Sequence, residues 1–168
     1  QPAIQPVLLA MARHGLVFDA LIQPVHLPRI LALTQAHPDL TVVVDHGAKP
    51  VIDAAAMDAW SEAMTRLARQ TAPTKVVCKM SGLWTEAPAG QAVEVVCPWC
   101  ESLLQIWGPQ RLLWGSDWPC TNHEQFANLE QLVAQAHEWL GAEHMTQVMA
   151  DNPLRLYWGA DPVNHYGF

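Results

Sequence analysis

Length, composition and charge exclude several classes of protein for this chain. Its 168 residues are 51% hydrophobic and 15% charged, which fits one compact domain with a sizeable core. The formal net charge is −7 and the nine lysines and arginines are scattered, so we expect no nucleic-acid partner. No apolar run approaches the roughly 20 residues of a membrane span, so we expect no membrane partner either.

The cysteines and the first residues indicate the setting of the chain. Four cysteines are too few for a secreted disulfide framework, and we therefore expect a reducing, cytoplasmic environment. No basic segment of the kind that begins a signal peptide is present at the start. The sequence starts at Gln1 without an initiator Met, which leads us to expect further residues upstream.

The predicted elements alternate between short runs of β-branched residues and longer segments with helical periodicity. In chain order we predict a helix at 2–13, a strand at 16–22, a helix at 27–36, a strand at 40–47, a helix at 53–69, a strand at 75–80, a helix at 92–107, a strand at 111–115 and helices at 124–140 and 143–150. This alternation indicates an α/β fold with parallel strands.

The number of strands points to an incomplete barrel. Four strands are half of the eight in a TIM barrel, which needs about 250 residues. We therefore predict that residues 1–168 form one partial barrel domain. An open doubly wound sheet is the alternative, although no strand is followed by the Gly-rich turn of a dinucleotide site.

Polar residues end three of the predicted strands, where the active site of a parallel α/β barrel lies. In the second strand Val42, Val44 and His46 share one face, while Val43 and Asp45 share the other. Imidazole can serve as a ligand, a general acid or an oxyanion stabiliser, so we predict that His46 points into the barrel. The alternative is a core histidine bonded to a backbone carbonyl.

Asp117 is the central candidate for catalysis. It lies in residues 115–119 (Gly-Ser-Asp-Trp-Pro), where two small residues let substrate come close and Pro119 turns the chain out of the strand. A carboxylate that stays ionised there can take a proton from water as a general base. The alternative is an N-cap for a following turn.

Other side chains near strand ends are candidates for substrate binding. Lys79 lies in an apolar strand, where a charge needs a partner or a polar mouth, and it is suited to hold a substrate carboxylate or carbonyl oxygen. Tryptophans after strand ends can pack on the C–H face of a sugar ring. The predicted set is Gln23, Lys79, Ser81, Trp84 and Trp118.

Four segments together resemble a known family. They are residues 44–50 (Val-Asp-His-Gly-Ala-Lys-Pro), 78–83 (Cys-Lys-Met-Ser-Gly-Leu), 113–119 (Leu-Trp-Gly-Ser-Asp-Trp-Pro) and 152–157, which begins Asn-Pro and ends Leu-Tyr. The set resembles the sugar-lactonase branch of the amidohydrolase superfamily, which includes L-fuconolactone and L-rhamnonolactone hydrolases and, more distantly, 2-pyrone-4,6-dicarboxylate lactonase. The resemblance implies a (β/α)₈ barrel of which this chain is the C-terminal portion, without the N-terminal strands.

The resemblance also implies a function and residue roles. Asp117 matches the family's water-activating aspartate, His46 its partner in the site, and Lys49 and Lys79 positions suited to polarise or anchor a lactone. We therefore expect a hydrolase that opens a small sugar-acid lactone. A dicarboxylate lactonase or decarboxylase is the alternative, but all six arginines lie away from the predicted mouth. A third hypothesis is an inactive barrel fragment that acts only in an assembly, such as a homo-oligomer.

Metal use is left open by the sequence. Relatives begin with a strand bearing His-x-His, and this chain contains no such pair. His46 and Asp117 are candidate ligands of a divalent ion, with zinc the first choice, but they cannot complete a site alone. We accordingly expect no cofactor or one divalent metal ion.

The segment 97–100 (Cys-Pro-Trp-Cys) has the spacing of zinc knuckles and redox motifs. A zinc site needs a second pair, and none lies nearby. A thioredoxin-like motif follows a strand and opens a helix, whereas this one falls inside a predicted helix. We therefore predict structural thiols.

Overall fold

A computed structural model describes residues 2–120 and 128–159. Its strands are β1 (Val17–Ala20), β2 (Thr41–Val44), β3 (Val76–Met80) and β4 (Leu112–Trp114). The α-helices in these residues are α1 (Gln5–Arg13), α2 (Leu27–Ala36), α3 (Ala54–Gln70), α4 (Cys97–Trp107), α5 (Leu129–Leu140), α6 (Ala142–Thr146) and α7 (Asn152–Trp158). None of them is long and apolar enough to cross a membrane.

The strands form one parallel sheet in the order β1-β2-β3-β4. Each strand pairs with the next one along the chain, and at least one helix connects every pair. A doubly wound sheet would reverse its strand order at a switch point. The observed order instead gives one arc of a (β/α) barrel, as the strand count predicts.

The two faces of the sheet have different coverings. On one face Val42, Val44 and Cys78 belong to a large core that includes buried residues from α1 through α5. On the opposite face Val43, Val77 and Leu113 form a smaller cluster, against which Leu156 of α7 packs. Helices α1 to α5 therefore cover one face, as in a barrel, and among the described residues α7 is the helix that packs against the other.

Side-chain hydrogen bonds hold the amino ends of β3 and β4 in place. The Arg111 guanidinium donates to the carbonyl oxygens of Val76 and Ala68 and to the Thr71 hydroxyl. The Asn152 amide donates to the carbonyl oxygens of Pro109 and Leu112 at 2.7 and 2.8 Å. These hydrogen bonds hold the amino ends of β3 and β4 in place, so their polar groups have a structural role. The polar groups at the carboxyl ends of the strands are therefore the candidates for the functional site.

The predicted second strand is too long at its carboxyl end. β2 stops at Val44, and a 3₁₀ turn, Asp45–Ala48, follows with positive φ from His46 to Lys49. The indole of Trp60 donates to the Gly47 carbonyl at 2.8 Å and holds this turn. A Cβ on Gly47 would lie 3.2 Å from Leu83, so glycine suits the position.

The predicted helices are confirmed in order, with two differences. The Cys97–Cys100 segment begins α4 and follows a 3₁₀ turn, Val93–Val96, so its expected place inside an α-helix is wrong. The helix expected at 143–150 is α-helical only in α6, and a π-helical turn, Gln147–Asp151, follows and leads into α7. The first residues of the predicted helix at 124–140 lie outside the described residues.

Candidate active site

His46, Ser81 and Asp117 meet at the carboxyl end of the sheet. His46 follows β2, Ser81 follows β3 and Asp117 follows β4, and the ends of parallel strands share one edge. His46 Nδ1 lies 2.8 Å from Ser81 Oγ, and His46 Nε2 lies 3.6 Å from Asp117 Oδ1. The side chains of His46 and Asp117 are 21% and 29% exposed, so water can reach both.

Left-handed backbone places two of these side chains. His46 has φ 51° and Asp117 has φ 53°, a conformation that few non-glycine residues adopt. Val42 and Val44 face the helices, so a regular strand would have pointed His46 away from the site. The alternation argument for His46 is therefore wrong, and His46 reaches the site because the chain leaves the strand after Val44.

Gly82 lies between the imidazole and the carboxylate. It has φ 58°, and an added Cβ would lie 2.5 Å from His46 Nδ1 and 2.9 Å from Asp117 Oδ2. Real Cβ atoms do not approach other atoms so closely. The absence of a side chain at position 82 thus allows His46 and Asp117 to come together.

Thr85 is a member of the group that the sequence did not single out. Its hydroxyl lies 2.6 Å from the Gly82 carbonyl oxygen and 3.3 Å from Asp117 Oδ2. A threonine hydroxyl carries one proton, so these two acceptors compete for it, and the shorter contact favours the carbonyl. In the sequence, the feature that indicates this position of Thr85 is Gly82, three residues earlier.

The hydrogen bonds favour one chemical arrangement of the site. When the Ser81 hydroxyl donates to Nδ1, the neutral imidazole carries its proton on Nε2, facing Asp117. That tautomer presents a donor beside a carboxylate that accepts protons. A base and a hydrogen-bond donor side by side can serve hydrolysis of an ester carbonyl.

Lys79 is bound by two carboxylates on the sheet face opposite the helices. Its Nζ lies 2.8 Å from Asp45 Oδ1 and 3.0 Å from Asp19 Oδ1, and 5.8 Å from the centre of the Tyr157 ring. Burial alone would lower the pKa of Lys79, but its hydrogen bonds to both carboxylates outweigh this and raise it. The ammonium is therefore already paired, and a substrate oxygen must compete for it.

Tyr157 completes the same network. Its hydroxyl donates to Asp19 Oδ1 at 2.7 Å. Burial raises the pKa of Tyr157 from 10.0 to about 12, and the hydrogen bond to Asp19 adds to the effect. The last helix is thereby connected to the first strand.

Lys49 also has a partner. It follows the turn after β2 with φ 49°, and its ammonium forms an ion pair with Glu86 at the end of the 3₁₀ turn Trp84–Glu86. Both side chains are partly exposed. The pair joins the loops after β2 and β3 beside the His46 group.

The remaining predicted residues differ in their exposure and in their contacts. Trp118, next to Asp117, is 61% exposed and presents its ring to solvent. Trp84 is buried, donates to the Gln91 carbonyl at 3.0 Å and lines a cavity together with Ser81 and Gly82. Gln23 is exposed after β1 with its backbone N–H bonded to His26 Nδ1, and in the described residues no hydrogen bond joins it to this group.

The donor set does not fit a complete metal site. His46 and Asp117 supply two donors, whereas a zinc site takes three or four protein ligands. Within residues 2–120 and 128–159, no group of three or more His, Cys, Asp or Glu side chains is arranged to hold a metal ion. We therefore assign no chemical step of these residues to a metal.

A partial barrel with histidine and aspartate at its strand ends is typical of amidohydrolases, and family comparison agrees. The chain matches the amidohydrolase family over residues 1–158 and belongs to it. It is 45% identical over 161 residues to an L-fucono-1,5-lactonase of Burkholderia ambifaria, covering 93% of this chain and 54% of that protein. An L-fucono-1,5-lactonase of Burkholderia multivorans is 30% identical, covering 88% of this chain and 53% of that protein.

Solved structures confirm the fold. A zinc-bound amidohydrolase from Burkholderia multivorans superposes with a TM-score of 0.77 at 28% identity, over 88% of this chain and 54% of that one. The chain thus spans about half the length of the curated relatives and structures that it matches. This coverage agrees with the predicted partial barrel.

Proposed function

We propose that the protein containing this chain opens the ring of a small sugar-acid lactone. The observation that carries the proposal is the pairing of His46 with Asp117, 3.6 Å apart and open to water at the carboxyl end of the sheet. The relatives named L-fucono-1,5-lactonase support this substrate class. Fuconolactone is accordingly the first substrate to test.

Asp117 acts as the general base in the proposed mechanism. It takes a proton from water while the water oxygen bonds to the lactone carbonyl carbon, and the carbonyl oxygen becomes an oxyanion. The Nε2–H of His46 stabilises that negative charge. Collapse of the oxyanion breaks the bond between the carbonyl carbon and the ring oxygen, which takes the proton from Asp117 and leaves as a hydroxyl.

Substrate contacts surround this pair in the proposal. The exposed ring of Trp118 offers a face for the sugar. Lys49 binds a lactone oxygen when it releases Glu86, and Gln23 contacts the substrate from the end of β1. The buried Trp84 supports Ser81 from the cavity that both residues line. Lys79 acts on the substrate indirectly, because its ammonium is already paired with Asp19 and Asp45.

The charge around the mouth favours a neutral lactone over a dicarboxylate. Four carboxylates, of Asp19, Asp45, Glu86 and Asp117, face two ammonium groups, which leaves a formal charge of −2 when His46 is neutral. This charge repels a dianionic substrate. A relative named as a 2-pyrone-4,6-dicarboxylate hydrolase, from Comamonas testosteroni, is 30% identical over 144 residues, so that reaction belongs in the test.

The test is ring opening of a panel of lactones, followed by acid release. It should use both this chain and a longer protein that carries a complete eight-stranded barrel. We expect the longer protein to open fuconolactone, and Asp117→Asn to lower kcat/KM by about 100-fold or more. Asp58→Asn, an exposed site on α3, is the matched control and should leave the rate unchanged.

Three outcomes separate the hypotheses. Equal rates for wild type and Asp117→Asn, with both proteins folded by circular dichroism, would remove the general-base role. A preference for pyrone dicarboxylate would replace the substrate class. A longer protein that is folded but opens no lactone, combined with self-association of the 168-residue chain, would favour the assembly hypothesis. Within residues 2–120 and 128–159, β1 and β4 each leave one edge without a partner strand, which favours association.

A further inference from the structure

Two cysteines lie in the first turn of α4, outside the group formed by His46, Ser81 and Asp117. Cys97 is the first residue of the helix and is partly exposed, while Cys100 is fully buried. Both are free thiols. The Cys97–Cys100 motif therefore begins an α-helix, whereas the sequence predicted it inside one.

The spacing puts both thiols on the same side of the helix. Residues three apart on an α-helix have Cβ atoms about 5–6 Å apart, whereas a disulfide needs about 3.5–4.5 Å. Cys97 is the first residue of α4, and helix ends fray, so a backbone shift of about 1–2 Å at Cys97 closes this difference.

The surroundings of the two sulfurs differ. Cys97 is partly exposed, and the indole N–H of Trp139, on α5, donates to its Sγ at 3.3 Å and holds the sulfur in place. Burial raises the pKa of the Cys100 thiol well above its ordinary value, and the nearby Cys97 and Glu101 add to this. Cys97 is therefore suited to attack first, and Cys100 to act as the protected second thiol.

We propose that Cys97 and Cys100 form a redox-active dithiol that reacts with small-molecule disulfides. The Cys97 thiolate attacks one sulfur of the small disulfide, which forms a mixed disulfide and releases one thiolate. Cys100 then loses its proton to that released thiolate and attacks Cys97 Sγ, which breaks the mixed disulfide and frees the second thiolate. The net change is two protein thiols oxidised and one small disulfide reduced to two thiols.

The other two cysteines provide internal controls. Cys78 is fully buried in β3, and burial raises the pKa of its thiol. Cys120 is 2% exposed, and its thiol donates to the Ser116 carbonyl oxygen. Neither should react while the chain is folded, because reaction requires both thiolate character and access.

The experiment treats the folded chain with oxidised glutathione and maps its peptides without reduction. We expect a Cys97–Cys100 disulfide and the release of two glutathione molecules for each chain oxidised. Cys100→Ser should stop at a glutathione mixed disulfide on Cys97. Cys97→Ser should lower the reaction rate about 10-fold or more, because the remaining thiol is buried and protonated.

A tryptophan pair tests the indole contact. Trp139→Phe removes the N–H donor and should slow modification of Cys97 about threefold or more. Trp158→Phe, at a position that is 73% exposed, should have no effect. Circular dichroism confirms that each variant is folded.

Two results would overturn the proposal. One is preferential modification of Cys78 or Cys120 in the folded chain; the other is a Cys97→Ser variant that reacts as fast as wild type. These readouts need no lactonase activity, so they stand or fall separately from the proposed hydrolysis.

Discussion

Gly82 and His46 are so close that no side chain fits between them, since a Cβ on Gly82 would lie 2.5 Å from the imidazole Nδ1. Gly82→Ala should therefore displace His46 and disrupt the site. Left-handed backbone alone costs alanine about 1–2 kcal/mol, and the clash adds to it. Urea denaturation should show a loss in the free energy of unfolding of about 2–4 kcal/mol.

Gly15→Ala is the matched control for this change. Gly15 has a similar φ of 64°, but no atom lies within 4 Å of an added Cβ. Its cost should be the conformational penalty alone, about 1–2 kcal/mol. Equal losses in the free energy of unfolding for Gly15→Ala and Gly82→Ala would show that a Cβ at position 82 is not strained against His46.

Removing the charge of Lys79 should destabilise the chain. Lys79→Met leaves Asp45, which is 9% exposed, without its cation, and a carboxylate isolated from its partner in a buried place is costly. We expect a loss of about 2 kcal/mol in the free energy of unfolding. Lys75→Met is the control, because that exposed ammonium donates to the backbone carbonyl of Asp39 and forms no ion pair in the part of the chain that the structure describes. Its cost should stay below about 0.5 kcal/mol.

Arg111 should contribute more to stability than a surface arginine. Arg111→Met removes the donors that serve the carbonyl oxygens of Ala68 and Val76, and we expect a loss of about 2–3 kcal/mol in the free energy of unfolding. In Arg66→Met only an exposed ion pair with Glu62 is lost, worth about 0.5 kcal/mol or less. Chemical denaturation of both variants measures the difference, and similar midpoints would contradict the anchoring role.

Tyr157 should give the chain a pH dependence at the alkaline end. Its pKa is raised to about 12 in the folded state, so the unfolded chain releases this proton first. The stabilisation is therefore complete below about pH 10 and is lost as pH rises through about 12. Absorbance of the phenolate band in wild type and Tyr157→Phe isolates this titration, and a Tyr157 midpoint near 10.0 would contradict the network.

The element order and the meeting of three side chains could be predicted from the sequence. Apolar runs, helical periodicity and Gly or Pro stops determine the order, and parallel strands bring their ends to one edge. This is why His46, Ser81 and Asp117 were expected together. The direction in which the His46 side chain points could not be derived. Alanine and lysine at positions 48 and 49 do not indicate the left-handed turn that follows β2.

Partners on other strands and loops were beyond sequence reasoning. Lys79 clearly needed a partner in an apolar strand, but the choice of Asp19 depends on the register of three strands. Glu86 and Thr85 lie in a short 3₁₀ turn whose path is set by its packing. Tyr157 reaches Asp19 from a helix 138 residues further along the chain.

The strand order has a consequence for how the chain folds during synthesis. Each strand pairs with the one made just before it, so the sheet can grow in step with translation. The bond between Tyr157 and Asp19, and the contact of Leu156 with the Val43 cluster, must wait until α7 has left the ribosome. Until then the face that α7 covers stays open to chaperones and to neighbouring nascent chains.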